Sequence, residues 1–184
     1  MKWYHGSPVG GLTELKPFLS EHGKPYLYFA QDPLVALLYA VKPVPKPLSF
    51  YPYGFAGDGK VVYSEYFENA FWKLYSGQKG YLYTCSDFVG SENPTKIPGV
   101  CTSTAPVMAE KCTEIPDLYQ YYKEQEKRGL FYLRPYDTIP EKERNYVLEG
   151  WKKDIQDYHL KKTPNHASSI FIKTYFPAAW EMAD

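Results

Sequence analysis

Proline is frequent in this sequence and limits where helices and strands can begin and end. The chain carries 16 prolines among 184 residues. Because proline lacks a backbone N–H and restrains the residue before it, it is tolerated in the first turn of a helix and disrupts a helix interior. Asp32-Pro33, Pro116 and Pro140 therefore predict three helix starts. The proline-rich segment 42–60 predicts a long surface loop.

The helices predicted from these starts are separated by short apolar or alternating segments. The first helix runs to about residue 41 and is apolar nearly all round, the second ends at Gly129, and the third reaches about residue 158. Leu118, Tyr122 and Gln125 form one stripe of the second helix. Strands are predicted at 2–5, 26–30, 61–66, 80–85, 130–136 and 168–176, with a hairpin of 100–104 and 107–112 broken at Pro106. The pattern predicts a single α+β domain over residues 1–184, dominated by strands with helices on the flanks.

Composition and charge exclude several function classes. Hydrophobic residues make up 44% of the chain, enough for a folded core, and 21 basic residues balance 21 acidic ones. A net charge of zero argues against binding to nucleic acid or anionic membranes through overall electrostatic attraction. Cys85, Cys101 and Cys112 show no CxxC spacing, and the histidines fit no metal signature, so we expect no metal. Without a signal-like segment or a long apolar run, the chain is expected to be cytoplasmic and to have no membrane partner.

Two short motifs near the beginning of the chain carry the functional signal. Tyr4-His5-Gly6-Ser7 is followed by Tyr28-Phe29-Ala30 on a strand, and Tyr39 comes eleven positions after Tyr28. Glycine allows a ligand to approach the backbone closely, and two aromatic faces can hold a planar ring. Over about the first forty residues, this spacing resembles the ADP-ribosyltransferase fold, in particular its His-Tyr-Glu clade, which includes poly(ADP-ribose) polymerases and rifampin ADP-ribosyltransferases.

The resemblance implies a split sheet and a site for NAD. His5 would bind a ribose hydroxyl, Gly6 would present backbone groups to the nicotinamide carboxamide, and Tyr28 and Tyr39 would sandwich the ring. Ser7 would add a polar contact. The chain departs from its relatives at Ala36, where they often carry a serine that donates to the carboxamide. That difference removes one hydrogen bond, worth about 1 kcal/mol.

The implied reaction is transfer of ADP-ribose with release of nicotinamide, to a protein, nucleic acid or small-molecule acceptor that the sequence does not identify. Its transition state is oxocarbenium-like, so a nearby carboxylate would stabilise positive charge. The segment GVCTSTAPV, where the family carries that acid, has Val100 and Cys101 instead. Glu110 and Glu65 are the candidates to replace it, ahead of the neighbouring Glu68, Glu92 and Glu114.

The sequence also allows three alternatives to an ADP-ribosyltransferase. The first is a binding module for NAD or ADP-ribose that has lost the acid. The second is the RNA 2'-phosphotransferase branch of the fold, which a chain with three arginines suits poorly. The third is a structural protein in which His5 ties down a turn.

Overall fold

The structure is a computed structural model that describes residues 1–19, 23–41, 50–86, 88–90 and 92–183. His22, which the sequence assigns to a solvated loop, and residues 42–49 of the predicted long loop lie outside these ranges. Within them the chain is a mixed α+β protein, as the sequence predicts, and its sheets are mainly antiparallel.

The strands are β1 (Trp3–Ser7), β2 (Glu14–Leu15), β3 (Phe18–Leu19), β4 (Pro25–Ala30), β5 (Tyr53–Phe55), β6 (Val61–Ser64), β7 (Gly80–Cys85), β8 (Val100–Ser103), β9 (Val107–Met108), β10 (Lys111–Ile115) and β11 (Phe131–Arg134). The helices are α1 (Pro33–Leu38), α2 (Ala70–Tyr75), α3 (Leu118–Lys127), α4 (Glu141–Asp157), α5 (Ala167–Tyr175) and α6 (Pro177–Met182), with short 3-10 turns at Tyr136–Thr138 and Leu160–Lys162.

The chain divides into two compact units. The first contains Met1–Lys42 and Tyr75–Gln125, and the second contains Pro43–Leu74 and Glu126–Asp184. The expectation that residues 1–184 act as one domain stays a prediction. Both motifs of the sequence analysis belong to the first unit.

The main sheet of the first unit opens between two of its central strands. Its order is β10-β7-β1-β4-β3, and β8 also pairs with β4. β1 pairs with β7 along the whole of Trp3–Ser7, and β4 pairs with β8 along Leu27–Ala30. β1 and β4 themselves share one Cα pair, Tyr4 with Ala30. Beyond that pair the ladder between the two motif strands does not continue.

Helix α1 follows β4 directly and packs on the sheet. The Asp32 side chain accepts from the N–H of Leu34 at 2.7 Å, and Pro33 occupies the first turn, so the start predicted from sequence is confirmed. The helix ends at Leu38 rather than near residue 41, with Tyr39 as its C-cap. The hydroxyls of Tyr75 and Tyr122 donate to the Leu38 and Leu34 carbonyls at 3.0 and 2.5 Å. These bonds satisfy carbonyls in a short buried helix.

An apolar cluster covers the opposite face of the sheet. It consists of Leu15, Leu27, Phe29, Tyr83, Cys85 and Val107. Leu27 and Phe29 alternate along β4 with residues that point to the α1 side, as the two-residue period of a strand requires. The two-stranded sheet of β2 and β9 contributes Leu15 and Val107 to this cluster.

The second unit is built on a small sheet and an aromatic core. β6 lies between β11, which runs parallel to it, and β5, which runs antiparallel. Phe50 packs against Trp151, Phe171 and Phe176 with ring centroids 5.0 to 5.8 Å apart. β5 lies inside the segment predicted as loop, and that part of the prediction is wrong because Tyr53–Phe55 completes the edge of the sheet.

The predicted hairpin of 100–104 and 107–112 is also wrong. β8 pairs with β4, β9 pairs with β2, and β10 pairs with β7. Three separate partners therefore replace one local pairing. The sequence supplies strand-forming residues in both cases, but partner choice depends on which sheet edge can bury them.

The last predicted strand is a helix. His166 caps α5 by accepting from the N–H of Ser168 at 3.2 Å, and Phe171 and Ile172 are buried. The Ser169 hydroxyl donates to the carbonyl of Thr163 at 2.8 Å. Burial and capping override the strand preference of a β-branched and aromatic segment.

The remaining helices follow the sequence more closely. Leu118, Tyr122 and Gln125 are the buried residues of α3, which confirms the predicted stripe. α4 extends from Glu141 to Asp157, close to its predicted bounds. Of the helices in the described ranges, none combines the length and apolar character required to span a bilayer.

Candidate functional site

A side-chain hydrogen bond links the two sequence motifs in the first unit, next to the backbone pair of Tyr4 with Ala30. Nδ1 of His5 lies 2.9 Å from the main-chain carbonyl oxygen of Tyr28. A carbonyl oxygen only accepts, so Nδ1 carries the hydrogen. The side chain thus connects β1 to β4 where the backbone pairing of these strands has ended.

Burial keeps the His5 ring neutral. The ring is half-buried between the rings of Phe29 and Tyr83, with centroids 6.0 and 6.4 Å away. This burial lowers the pKa of His5, and the bond to the Tyr28 carbonyl opposes it with a smaller effect. A neutral ring with the hydrogen on Nδ1 has a lone pair on Nε2. Among the described residues nothing else hydrogen-bonds this ring, so Nε2 can accept from a hydroxyl.

Gly6 has a packing reason to be glycine. A Cβ at this position would lie 1.9 Å from the Ala36 carbonyl oxygen and 2.7 Å from its carbon. Only a residue without a side chain lets β1 approach the backbone of α1 this closely. The strand therefore continues through Gly6 to Ser7, past the end that the sequence predicts.

Ser7 closes β1 rather than pointing freely into solvent. It is buried, and its Oγ accepts from the N–H of Val9 at 3.1 Å. Such a bond stabilises the turn that follows the strand. The polar contact predicted for Ser7 is therefore, in this structure, a local one.

The Tyr28 ring lies on the other face of β4 from Phe29. It is half-buried and packs near Tyr26 and Phe18, with ring centroids 5.9 and 6.4 Å away. The His5 ring packs near Phe29, so His5 contacts the Tyr28 main chain while the Tyr28 ring points to the α1 side. The two side chains flank the same strand.

Tyr39 stands at the end of α1. Its N–H donates to the Ala36 carbonyl at 3.2 Å, and 38% of the residue is exposed. The two residues before it, Leu37 and Leu38, are fully buried. Their burial fixes the end of the helix and leaves the Tyr39 ring partly at the surface.

Glu110 lies on the same face of the sheet as His5. Its N–H donates to the Thr84 carbonyl at 2.9 Å, which extends the pairing of β10 with β7 by one residue. The register aligns Cys112 with Tyr83 and Tyr83 with His5. Glu110 is two residues from Cys112 and shares its face. Two strand spacings separate β10 from β1, about 10 Å.

The exposed Glu110 carboxylate has one electrostatic effect on this face. Together with burial, which has the larger effect, it raises the pKa of Cys85 to about 11. Cys85 is therefore a protonated core thiol at neutral pH and no nucleophile.

Glu65, the other predicted acid, caps a helix in the second unit. It is 6% exposed, and its Oε1 accepts from the N–H of Phe71 at 2.8 Å. Phe71 lies in the first turn of α2, where backbone N–H groups lack helical partners. The carboxylate has a structural role there.

Two further acids near the motifs have partners of their own. Glu92 accepts from Tyr26 and, at 2.9 Å, from Lys24. Glu114 lies in β10 and pairs with Lys79 at 2.9 Å. The acid at the start of α3 is Asp117, whose Oδ1 accepts from the N–H of Gln120 at 3.0 Å.

Tyr83 is the residue of this site that sequence reasoning missed. Its hydroxyl donates to the Val9 carbonyl at 2.8 Å and accepts from the Leu12 N–H at 3.1 Å. It thereby holds the loop after β1 against the sheet beside His5. The alternation of GYLYTC, which puts Tyr81, Tyr83 and Cys85 on one face, was the available signal.

Comparison with known proteins found no match for this chain among family models, curated proteins or solved structures. In the part of the chain that the structure describes, no group of three His, Cys, Asp or Glu residues could hold a metal ion.

Proposed function

We propose that this chain is an ADP-ribosyltransferase-like protein of the His-Tyr-Glu type. It binds NAD in the first unit and transfers ADP-ribose to an acceptor with release of nicotinamide. The observation that carries this proposal is the bond from His5 Nδ1 to the Tyr28 carbonyl, because it joins the two resembling motifs at one point. The opening of the sheet between β1 and β4 supports it further.

His5 fits the part of a ribose-hydroxyl acceptor. Its ring is held by the Tyr28 carbonyl, its pKa is lowered by burial, and Nε2 retains a lone pair. A neutral, oriented acceptor binds a hydroxyl without the cost of ordering the side chain. When bound, NAD supplies the ADP-ribosyl group and the nicotinamide leaving group.

Tyr28 and Tyr39 supply partly exposed aromatic surfaces at the two ends of the β4–α1 segment. Each can pack against a flat pyridine ring and exclude water from it. Gly6 serves this site indirectly, since its contact with Ala36 positions α1 against β1. The proposed cofactor-binding group is His5, Gly6, Tyr28 and Tyr39, with Ser7 holding the turn. Because the His5 and Tyr28 side chains lie on opposite sides of β4, the ligand has to enter the opening between β1 and β4 to contact both.

Glu110 is the better of the two acids for this chemistry. It shares a face with His5 and is exposed, so its carboxylate is available to orient an acceptor and stabilise positive charge. Glu65 is committed to the N–H of Phe71. About two strand spacings separate Glu110 from His5, and the buried Tyr83 of β7 lies between them, so Glu110 can act on the acceptor without contacting the group that His5 binds.

A binding module for NAD or ADP-ribose without transferase activity is the second candidate. The specific observation in its favour is the pairing of Tyr28 with Thr102 and of Phe29 with Cys101 on β8. The strand facing the Tyr28 motif thus carries neutral residues where an acid would assist catalysis. Such a module would bind the nucleotide tightly and leave it intact.

The test is a titration of the full chain with NAD and with ADP-ribose by calorimetry, combined with an assay of nicotinamide release. Binding with release supports the enzyme, and binding without release supports the module. His159→Asn is the matched control for His5→Asn, because His159 is exposed and has a φ of 51°, which asparagine tolerates. If neither ligand binds the unmodified chain, both candidates are wrong.

A further inference from the structure

The second unit contains a cavity that the proposed function does not use. Its volume is about 310 Å³, near the lower limit for small-molecule sites. Aromatic side chains form much of its lining, including Tyr66, Phe67, Tyr136 and Tyr175, and the charged residues Arg144 and Glu68 also line it. All of these residues belong to the second unit.

Arg144 brings a charge to this cavity without an acidic partner. Its guanidinium lies 4.7 Å from the centre of the Tyr136 ring. Within the described ranges no carboxylate lies within ion-pair distance of Arg144. A guanidinium that packs against an aromatic ring retains N–H donors that can pair with an anion.

The neighbouring acid cannot neutralise Arg144, because it is already engaged. The Glu143 carboxylate accepts two hydrogen bonds from the Arg134 guanidinium, at 2.9 and 2.5 Å, in a bidentate ion pair. It also accepts from the Tyr66 hydroxyl at 2.6 Å. Partial burial, and with a smaller effect the bond to Glu143, raise the pKa of Tyr66 to about 12, so its phenol stays neutral. Among the lining residues the cavity therefore has one cation, Arg144, and one acid, Glu68, which is solvent-exposed. Lys73 is not a lining residue, but its Nζ lies 5.8 Å from the centre of the Phe67 ring and 6.0 Å from that of the Tyr175 ring.

Two stacked rings provide a flat apolar wall. The rings of Phe67 and Tyr175 lie 4.3 Å apart at an angle of 15°. Phe67 is buried, and Tyr175 is half-buried. Because the two rings already pack against each other, their side chains lose little conformational entropy when a planar ligand packs against them.

We propose that this cavity binds a small planar anion, whose ring packs against the aromatic wall and whose phosphate or carboxylate pairs with Arg144. A nucleoside monophosphate and an aromatic carboxylate share this chemistry. Neither needs more space than a cavity of this volume offers. The exposed Glu68 favours a ring that also carries an N–H donor.

The test is calorimetric titration of the full chain with four probes: AMP, benzoate, adenosine and inorganic phosphate. We expect AMP or benzoate to bind at least about tenfold more tightly than adenosine or phosphate. Adenosine lacks the anionic group that pairs with Arg144, and phosphate lacks the planar ring that packs against the aromatic wall. AMP stronger than benzoate identifies a nucleotide site, and the reverse identifies a carboxylate site. Failure of both anions to bind overturns the proposal.

Variants locate the binding. Arg144→Gln should weaken the anion by about tenfold or more, whereas Lys142→Gln, an exposed change on the same helix, should leave it unchanged. Ala178→Phe fills the cavity from its exposed rim without removing a charge and should also abolish binding. Equal binding by Arg144→Gln or Ala178→Phe overturns the proposal. Binding that His5→Asn abolishes belongs to the first unit and overturns it as well.

Discussion

The His5 imidazole donates from Nδ1 to the main-chain carbonyl of Tyr28 at a distance of 2.9 Å. This bond links two segments that are 23 residues apart, at the place where β1 and β4 diverge. It orients the ring, fixes its tautomer and leaves Nε2 as an acceptor. In the proposed function, stability and NAD binding would therefore depend on different nitrogens of the same side chain.

Two substitutions at His5 should separate these nitrogens. The amide of His5→Asn can replace the Nδ1 donor but has no group at Nε2, whereas His5→Gln reaches the Nε2 position and loses the donor to Tyr28. We expect His5→Asn to weaken NAD binding by about tenfold with little change in stability. His5→Gln should cost about 1 kcal/mol of unfolding free energy and keep more of the binding. Calorimetry and urea unfolding measure the two effects; the opposite pattern would contradict the assigned roles.

The stability of the chain should fall in acid partly through His5. Burial lowers its pKa below the ordinary value of 6.5. As the pH drops below that value, the unfolded chain binds a proton that the folded chain does not, so unfolding becomes easier. The contribution is fully present above pH 6.5 and is lost as the pH falls through the folded pKa. The slope for one proton is at most about 1.4 kcal/mol per pH unit.

The control for this pH dependence is the difference between the unmodified chain and His5→Asn. All other titratable groups are the same in both proteins and cancel in the difference. The free energy of unfolding of the unmodified chain, relative to that of His5→Asn, should fall as the pH falls from about 7.5 to about 5. A constant difference across that range would mean that the buried ring is not what titrates.

Gly6→Ala should be among the most damaging small changes in the first unit. The added methyl would meet the Ala36 carbonyl oxygen at 1.9 Å, so α1 or β1 has to move. We expect a loss of about 3 kcal/mol in urea unfolding. Gly150→Ala is the control, because nothing lies within 4 Å of that position on α4. It should add about 1 kcal/mol through helix propensity. A fully stable Gly6→Ala protein would refute the close packing.

Glu65→Ala should destabilise the second unit. The substitution leaves the Phe71 N–H in a buried position without its acceptor, at a cost of about 2 kcal/mol. Glu65→Gln keeps a carbonyl oxygen and should cost less. The exposed Glu68→Ala serves as the control and should change unfolding by less than about 0.5 kcal/mol. Equal effects of the three substitutions would show that Glu65 is not a cap.

Glu110→Gln should leave stability within about 0.5 kcal/mol, because the side chain is exposed and only its backbone is bonded. In the transferase interpretation it should reduce nicotinamide release by about a hundredfold or more with NAD affinity nearly unchanged. Glu14→Gln, another exposed acid of the same unit, should retain full release. Unimpaired release by Glu110→Gln would remove this residue from the proposed chemistry.

Local signals determined the parts of this protein that depend on neighbours along the chain. The start of α1 follows from an Asp side chain that reaches the N–H two residues away, and from a proline whose missing N–H costs nothing there. The buried stripe of α3 and the length of α4 follow from helical periodicity. The Tyr28 motif was correctly placed on a strand because aromatic residues favour strands.

Long-range packing decided the rest. Residues 168–176 are locally suited to a strand, yet they form α5, in which Phe171 and Ile172 are buried and the Ser169 hydroxyl donates to the Thr163 carbonyl. The partners of β8, β9 and β10 depend on sheet edges far away in sequence. The sequence alone grouped His5 with Tyr28 as candidate site residues. The bond between them requires a fold in which the pairing of β1 with β4 ends after Tyr4 and Ala30 and the His5 ring is partly buried. Free energies of burial are properties of the assembled chain, and no local pattern contains them.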